Sequence, residues 1–379
     1  MTSPETSQPI TYATAGVDTE AGDRAVELMK AAVSATHNAQ VVGGFGGFAG
    51  LFDASELKNY DRPLLTTSTD GVGTKVAIAQ ALDIHHTIGH DLVGMVVDDI
   101  VVVGAKPLFM TDYIACGKVV PQRIADIVRG IAEAAALTGT ALVGGETAEH
   151  PGLLGPEDYD VAGAVTGVVE ESKILGAHRV ASGDVIIAIP SSGLHSNGYS
   201  LVRAVVAQSG WALDREVAEF GRTLGEELLE PTRLYTKVCL DLAAELDTEL
   251  HAYSHITGGG LAANLARVLP QGSVGTVARD SWQLPPVFQM VADLGKVPYS
   301  DLERTLNLGV GMVAVVDAAA ADRALAFLAA AGFPSWVIGQ VSDDDVLAAS
   351  GASIAAVDLV QGAKGVDGGS VLLTGQYRR

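Results

Sequence analysis

Cysteine is nearly absent: Cys116 and Cys239 are the only two in 379 residues. Two thiols are too few for a disulfide framework or a cysteine-ligated metal centre, and they fit a reducing, cytoplasmic setting. Basic residues are also scarce, 24 against 45 acidic ones, for a formal net charge of −21. A field of that sign repels phosphate backbones and anionic lipid, which argues against nucleic acid and membrane surfaces as partners. Long apolar runs are missing. The most apolar stretches are broken by Asp, Lys or Gly, so none reads as a membrane span. Residues Met1 to Thr14 are polar, without the basic and apolar regions of a secretory signal, and residues 1–15 read as a loose leader. The P-loop pattern, H-E-x-x-H and the EF-hand loop are absent too. Gly44-Phe45-Gly46-Gly47-Phe48-Ala49 formally matches a loose dinucleotide fingerprint, but Gly50-Leu51-Phe52-Asp53 behind it opens no helix.

What is present is enough apolar material for a filled core, 48% of the chain. The length suggests two domains. Helical spacing is predicted at 21–37, 88–103, 121–137, 232–246, 285–294 and 318–331, and strands at 63–69, 108–115, 141–143, 160–169, 184–189, 309–316 and 335–341. Strands and helices mix without strict alternation, so the expected class is α+β in two domains rather than a doubly wound parallel sheet. A boundary is expected near 170–182. The tail over 346–379, rich in Ala, Ser, Gly and Val, reads as a peripheral appendage.

Three features of the first half combine carboxylates with permissive backbone or buried surroundings. Asp70-Gly71-Val72-Gly73-Thr74-Lys75 follows a strand. Its glycines let N–H groups approach phosphate oxygens, Lys75 supplies a positive charge, and Asp70 suits Mg²⁺. A tight turn with an Asx-type bond accounts for the same residues equally well. Asp91, Asp98 and Asp99 lie in an apolar helix, where carboxylates are costly unless paired or metal-bound. Gly144-Gly145-Glu146-Thr147 repeats the glycine-carboxylate logic in what reads as a turn after a short strand. Together they describe a nucleotide–Mg²⁺ site built without a P-loop. The glycine-rich run Gly43-Gly44-Phe45-Gly46-Gly47-Phe48 is a permissive loop. In the second half, Ser191, Ser192, His195, Ser196 and Asn197 precede a helix, where hydroxyls and free N–H groups suit a phosphate; ordinary capping is the plain alternative. His195 and His255 are candidate proton-transfer groups. The stretch Asn307–Met312 reads as structural.

Ten runs, in order along the chain, carry a family resemblance: GVDTEAG at 16–22, GGFGGF at 43–48, TDGVGTK at 69–75, GAKPLF at 104–109, LVGGETAE at 142–149, DYDVAG at 158–163, SSGLHSNGYSLVR at 191–203, LLEPTRLY at 228–235, HITGGG at 255–260 and NLGVGM at 307–312. The chain resembles the phosphoribosylformylglycinamidine cyclo-ligases, or AIR synthetases. The resemblance implies an N-terminal ATP-binding and dimerisation domain over 16–172 and a C-terminal substrate-side domain over 173–345, with N-terminal domains pairing in a homodimer. It implies ATP-dependent closure of the imidazole ring of a small nucleotide, with ATP and Mg²⁺. By motif position it makes Asp70 and Asp99 the preferred metal ligands, with Glu146 a third. Lys75 becomes a phosphate contact and the Gly43–Phe48 loop a cover; Ser192, His195 and Asn197 fall on the substrate side. One departure stands out: Val97-Asp98-Asp99-Ile100 replaces the usual Val-Asn-Asp-Leu, adding a carboxylate beside a supposed metal ligand. A superfamily kinase or synthetase with another substrate is the nearest rival; a nucleotide-binding scaffold is the rival from another class.

Overall fold

The computed structural model describes residues 11–12, 15–44, 46–343, 358–362 and 367–378. Helix α1 (Thr19–Ala35) opens on Asp18, whose side chain accepts from Ala21 N. Strands β1 (Val41–Val42) and β2 (Leu51–Phe52) pair antiparallel, so the glycine-rich loop between them is the tip of a ribbon, not a strand-to-helix turn. Next come β3 (Pro63–Gly71), α2 (Val76–Leu82), α3 (Thr87–Val101), β4 (Lys106–Cys116), α4 (Pro121–Thr138), β5 (Ala141–Glu149) and β6 (Tyr159–Glu170). The four long strands form one mixed sheet in the order β3-β6-β4-β5. Alternation along β4 puts Met110, Asp112, Ile114 and Cys116 inward and Thr111 and Tyr113 outward. Helices α1, α3 and α4 cover the inner face only.

The second half contains β7 (Val185–Pro190), α5 (Tyr199–Ser209), β8 (Glu216–Val217), β9 (Arg222–Thr223), α6 (Leu224–Leu228), α7 (Thr236–Leu246), β10 (Leu250–His255), α8 (Gly260–Ala266), β11 (Ser273–Ala278), α9 (Pro286–Gly295), α10 (Tyr299–Glu303), β12 (Val310–Val316), α11 (Ala321–Ala330), β13 (Trp336–Asp343), β14 (Leu359–Gln361) and β15 (Ser370–Thr374). Its sheet has seven strands in the order β10-β12-β7-β13-β11-β15-β14. Both faces are covered. Ile186, Ala188, Val313 and Val315 join one core with Leu261 and Leu265 of α8. Ile187, Ile189, Met312 and Ala314 join the other with Leu242 of α7 and Leu328 of α11. That two-sided burial explains why β12 reads as an unbroken apolar run.

The architecture is α+β, with mixed sheets in both halves. Two expectations are corrected. Gly144-Gly145-Glu146-Thr147 is not a turn: β5 continues through it to Glu149, paired in parallel with β4. The tail is not merely peripheral either. β15 pairs in parallel with β11 and buries Val371, Leu372 and Leu373. Its first residues, 346–357, lie outside the described ones.

Candidate functional site

The register of the first sheet sets the distances that matter. Asp70 pairs with Gly163 of β6, Gly163 with Asp112 of β4, and Asp112 with Gly145 of β5, all in one row. Strands lie about 4.8 Å apart, so Asp70 and Gly145 are separated by roughly 14 Å. Glu146 therefore does not share a metal with Asp70 within one chain, and its assignment as a third ligand is corrected. Among the described residues no group of three or more His, Cys, Asp or Glu side chains is gathered for a metal.

Around β5 the structure forms a cavity of about 330 Å³. The glycine-rich loop covers one side, with Gly43, Gly44, Gly46 and Gly47 on its wall; Phe45 lies outside the described residues. Gly144, Gly145, Glu146 and Thr147 line the other side. The cofactor-side candidates from these two runs, distant in sequence, thus meet at one cavity. Its floor carries Asp112, which the sequence reading missed.

Asp91 and Asp98 are fully buried on α3, yet neither faces a ligand site. Asp91 Oδ1 accepts from Lys75 Nζ at 2.8 Å, Thr232 N at 3.0 Å and Thr232 Oγ1 at 2.6 Å. Lys75 Nζ also donates to the carbonyls of His195 and Glu230. Burial pulls the Lys75 pKa down, and the Asp91 carboxylate opposes that pull. With its three donors used by protein acceptors, Lys75 is a buried joint between the halves, not an exposed phosphate contact. Asp91 is its counterion, not a cofactor ligand. Asp98 accepts from Tyr235 N and Thr236 Oγ1 at the start of α7. Burial pushes its carboxyl up to about 6, against the lowering effect of His255 and these two hydrogen bonds.

Asp99 behaves differently. Its side chain is 40% exposed, and its Oδ1 receives His255 Nδ1 at 2.9 Å. Burial would lower the His255 pKa; the Asp99 hydrogen bond and charge, backed by Asp98 and Asp70, raise it above the ordinary histidine value. Asp99 and His255 thus pair where the end of α3 meets the end of β10, and the charge of Asp70 at the end of β3 acts on the same ring. The far nitrogen of His255, Nε2, is buried with no partner among the described residues.

The 191–198 loop sits beside this junction. Ser191 Oγ donates to Asn307 Oδ1, Ser192 Oγ to Pro231 O, and Ser196 Oγ to Val72 O. Asn197 Nδ2 lies 3.2 Å from Met95 Sδ. Ser196 and Asn197 thus hold the loop against the first half, while Ser191 and Ser192 anchor it within the second. His195 is the exception. It adopts φ +61°, rare outside glycine, and is 1% exposed. Its Nε2 accepts from Ser192 N, which places the hydrogen of the neutral ring on Nδ1, a buried donor without a partner among the described residues. Burial, with His255 and Lys75 behind it, pushes its pKa well below the usual value, so the ring is neutral. Tyr235 stands between the two histidines, with ring centroids 6.1 Å from His195 and 6.4 Å from His255. Only glycine fits opposite: a Cβ on Gly311 would lie 1.9 Å from Tyr235 Oη. Helices α5 and α8 both begin at glycines with no side-chain cap, so neither Ser196 nor Asn197 caps α5.

Comparison with known proteins places this geometry. Residues 53–169 match the model for the AIR synthase related protein N-terminal domain, and residues 181–351 its C-terminal domain. A phosphoribosylformylglycinamidine cyclo-ligase from Carboxydothermus hydrogenoformans is 46% identical over 336 residues, spanning 88% of this chain and 97% of the relative. One from Desulfitobacterium hafniense is 47% identical over 331 residues, 87% and 96%. Among solved structures, thiamine-monophosphate kinase from Stenotrophomonas maltophilia K279a aligns with a TM-score of 0.64 at 18% identity, over 92% of this chain and 96% of that one. A hydrogenase maturation protein solved with ATP aligns at 0.59 and 18%, over 86% and 88%. These two distant structures share the fold, whereas the cyclo-ligase relatives share both halves at nearly full length. The chain therefore belongs to the phosphoribosylformylglycinamidine cyclo-ligase family.

Proposed function

We propose that this chain closes the imidazole ring of aminoimidazole ribonucleotide, consuming formylglycinamidine ribonucleotide and ATP and releasing ADP and phosphate. The observation that carries this reading is the identity to the cyclo-ligases, which extends over 97% of the relative's length. In the reaction the formyl oxygen takes the γ-phosphoryl group, breaking its bond to ADP. The amidine nitrogen bearing the ribose then attacks the formyl carbon. The C–O bond to phosphate breaks, and one proton is lost overall.

The residues divide by environment. The cavity beneath the glycine-rich loop takes the nucleotide. Asp70 and Asp99 would hold Mg²⁺, and a pair of carboxylates suits an ion that keeps waters and arrives with substrate phosphates. When bound, Mg²⁺ spreads the charge of the transferring group. His255, held through Nδ1 by Asp99, offers Nε2 to move the proton. His195, neutral and locked with its hydrogen on Nδ1, donates a hydrogen bond to the substrate instead. The uncapped starts of α5 and α8 supply N–H groups for the ribonucleotide phosphate. Ser191, Ser192, Ser196 and Asn197 position that loop. The uncovered face of the first sheet pairs with a second copy, and the chain works in the cytoplasm. The test is ADP release that depends on formylglycinamidine ribonucleotide, with Asp70→Asn as the site variant. Nucleotide binding without such turnover, or full turnover by Asp70→Asn in a folded protein, would refute the assignment.

A further inference from the structure

The cavity under the glycine-rich loop has an apolar slot at its base. Ala25, Met29 and Val33 of α1, Val128 of α4 and Leu142 of β5 form its walls. Four lining residues bring hydrogen-bonding side chains: His37, Asp112, Glu146 and Thr147. His37 Nε2 is engaged with the Leu142 carbonyl at 3.0 Å, and Glu146 is exposed. Asp112 is 9% exposed and stands on the inner face of β4, among apolar neighbours. The sheet makes room for it. Its register partner Gly145 has no side chain, and a Cβ there would come within 2.2 Å of Asp112 Oδ1. Among the described residues its one donor is its own backbone N–H, and no side chain forms an ion pair or a hydrogen bond with it. A buried carboxyl met only by its own N–H keeps acceptor capacity that the protein does not fill, and it faces the cavity, which points to a ligand that hydrogen-bonds it.

We propose that Asp112 reads the nucleobase in this cavity, selecting adenine over guanine by a paired hydrogen bond. The inference rests on the reading of the cavity as the nucleotide site. A flat base fits a slot of apolar walls with one placed polar group. The chemistry then decides which purine. A neutral carboxyl has one donor and one acceptor; it donates to adenine N1 and accepts from the 6-amino group. Guanine presents two donors, N1–H and the 2-amino group, beside an acceptor at O6, and matches an ionised carboxylate instead. Burial pushes Asp112 up to about 7, so the neutral form is populated near neutral pH and is the one that adenine's donor–acceptor edge selects on binding. Asp70 lies two strands away in the same row, roughly 10 Å off, so base reading is separate from the metal carboxylates.

Steady-state kcat/KM with ATP and with GTP, at saturating formylglycinamidine ribonucleotide, tests this in the full chain. Asp112→Asn keeps one donor and one acceptor and should retain the preference for ATP. Asp112→Ala should reduce the ATP-to-GTP ratio by at least about tenfold, since a missing partner in a hydrogen-bonding site costs discrimination. An unchanged ratio in folded Asp112→Ala overturns the proposal, and so does Asp112→Asn losing the preference as fully as Ala. Val26→Trp, at a half-exposed wall position, separates the two levels of the argument. If it leaves the KM for ATP unchanged, the nucleotide binds elsewhere and both readings fall. If it raises the KM for ATP while Asp112→Ala leaves the ratio alone, only base reading falls.

Discussion

Asp98 and Asp99 are sequence neighbours with opposite surroundings. Asp99 is partly exposed and paired with His255; Asp98 is sealed against the start of α7. The extra carboxylate that departs from the family pattern is thus a structural acceptor that faces α7 rather than a metal. Asp98→Asn should leave the Mg²⁺ dependence of turnover unchanged but alter how stability responds to pH. The folded pKa of Asp98, about 6, lies above the ordinary 3.8. The folded state therefore holds this proton while the unfolded chain has released it, and stability falls as pH rises between these values. The loss amounts to about 3 kcal/mol, complete above pH 6. Denaturant titrations at pH 4.5 and 7.5 should show this decline in the wild type and a smaller one in Asp98→Asn. Asp99→Asn should act on chemistry instead. Removing the charge lets burial dominate His255, so its pKa, followed by ring-proton NMR, should fall below the ordinary value. Turnover should fall by about 10²–10⁴-fold, the usual worth of a proton-transfer group. A normal His255 titration in that variant would remove Asp99 as its positioning residue.

At the scale of elements, helix α3 carries the joint between the halves. Its buried carboxylates, at Asp91 and Asp98, are spaced by about two turns and share one face. Both grip the segment 232–236 that leads into α7, while Lys75 binds the loops before α5 and α7. Lys75→Met should cost about 3–5 kcal/mol in chemical denaturation, because it leaves Asp91 buried without its counterion. The double variant Lys75→Met/Asp91→Leu should recover part of that loss. If it recovers nothing, the ion pair is not the source of the cost. The sequence pattern located α3 and its carboxylates, since apolar periodicity reports burial directly. It did not identify their partners, which lie about 140 residues away. The same limit explains β5. Glycines at 144 and 145 suggested a turn because nothing local reveals that Asp112, on the neighbouring strand, fills the space a side chain would need.

At the scale of the whole molecule, the two-domain plan was legible because long strands and helices each keep their own period. The role of the tail was not. Composition marked it as peripheral, whereas β15 is held by a parallel register with β11 that no local pattern encodes. Assembly turns on the first sheet. Helices cover its inner face, while its outer face presents Leu65 at 63% and Tyr113 at 42% exposure, with Thr67, Thr69 and Thr111 exposed around them. These five side chains are uncharged in a chain whose formal charge is −21, so two copies can bring this part of the face together with less repulsion than the rest of the surface imposes. A self-complementary pairing about a two-fold axis closes on itself and leaves no further face to extend. Sedimentation equilibrium should therefore give twice the 39.0 kDa chain mass. Leu65→Glu combined with Thr111→Glu should return the protein to one chain mass, because paired faces would juxtapose like charges. The variant should keep its circular dichroism, since both side chains point away from the core. A double variant that remains dimeric would place the contact elsewhere on the molecule.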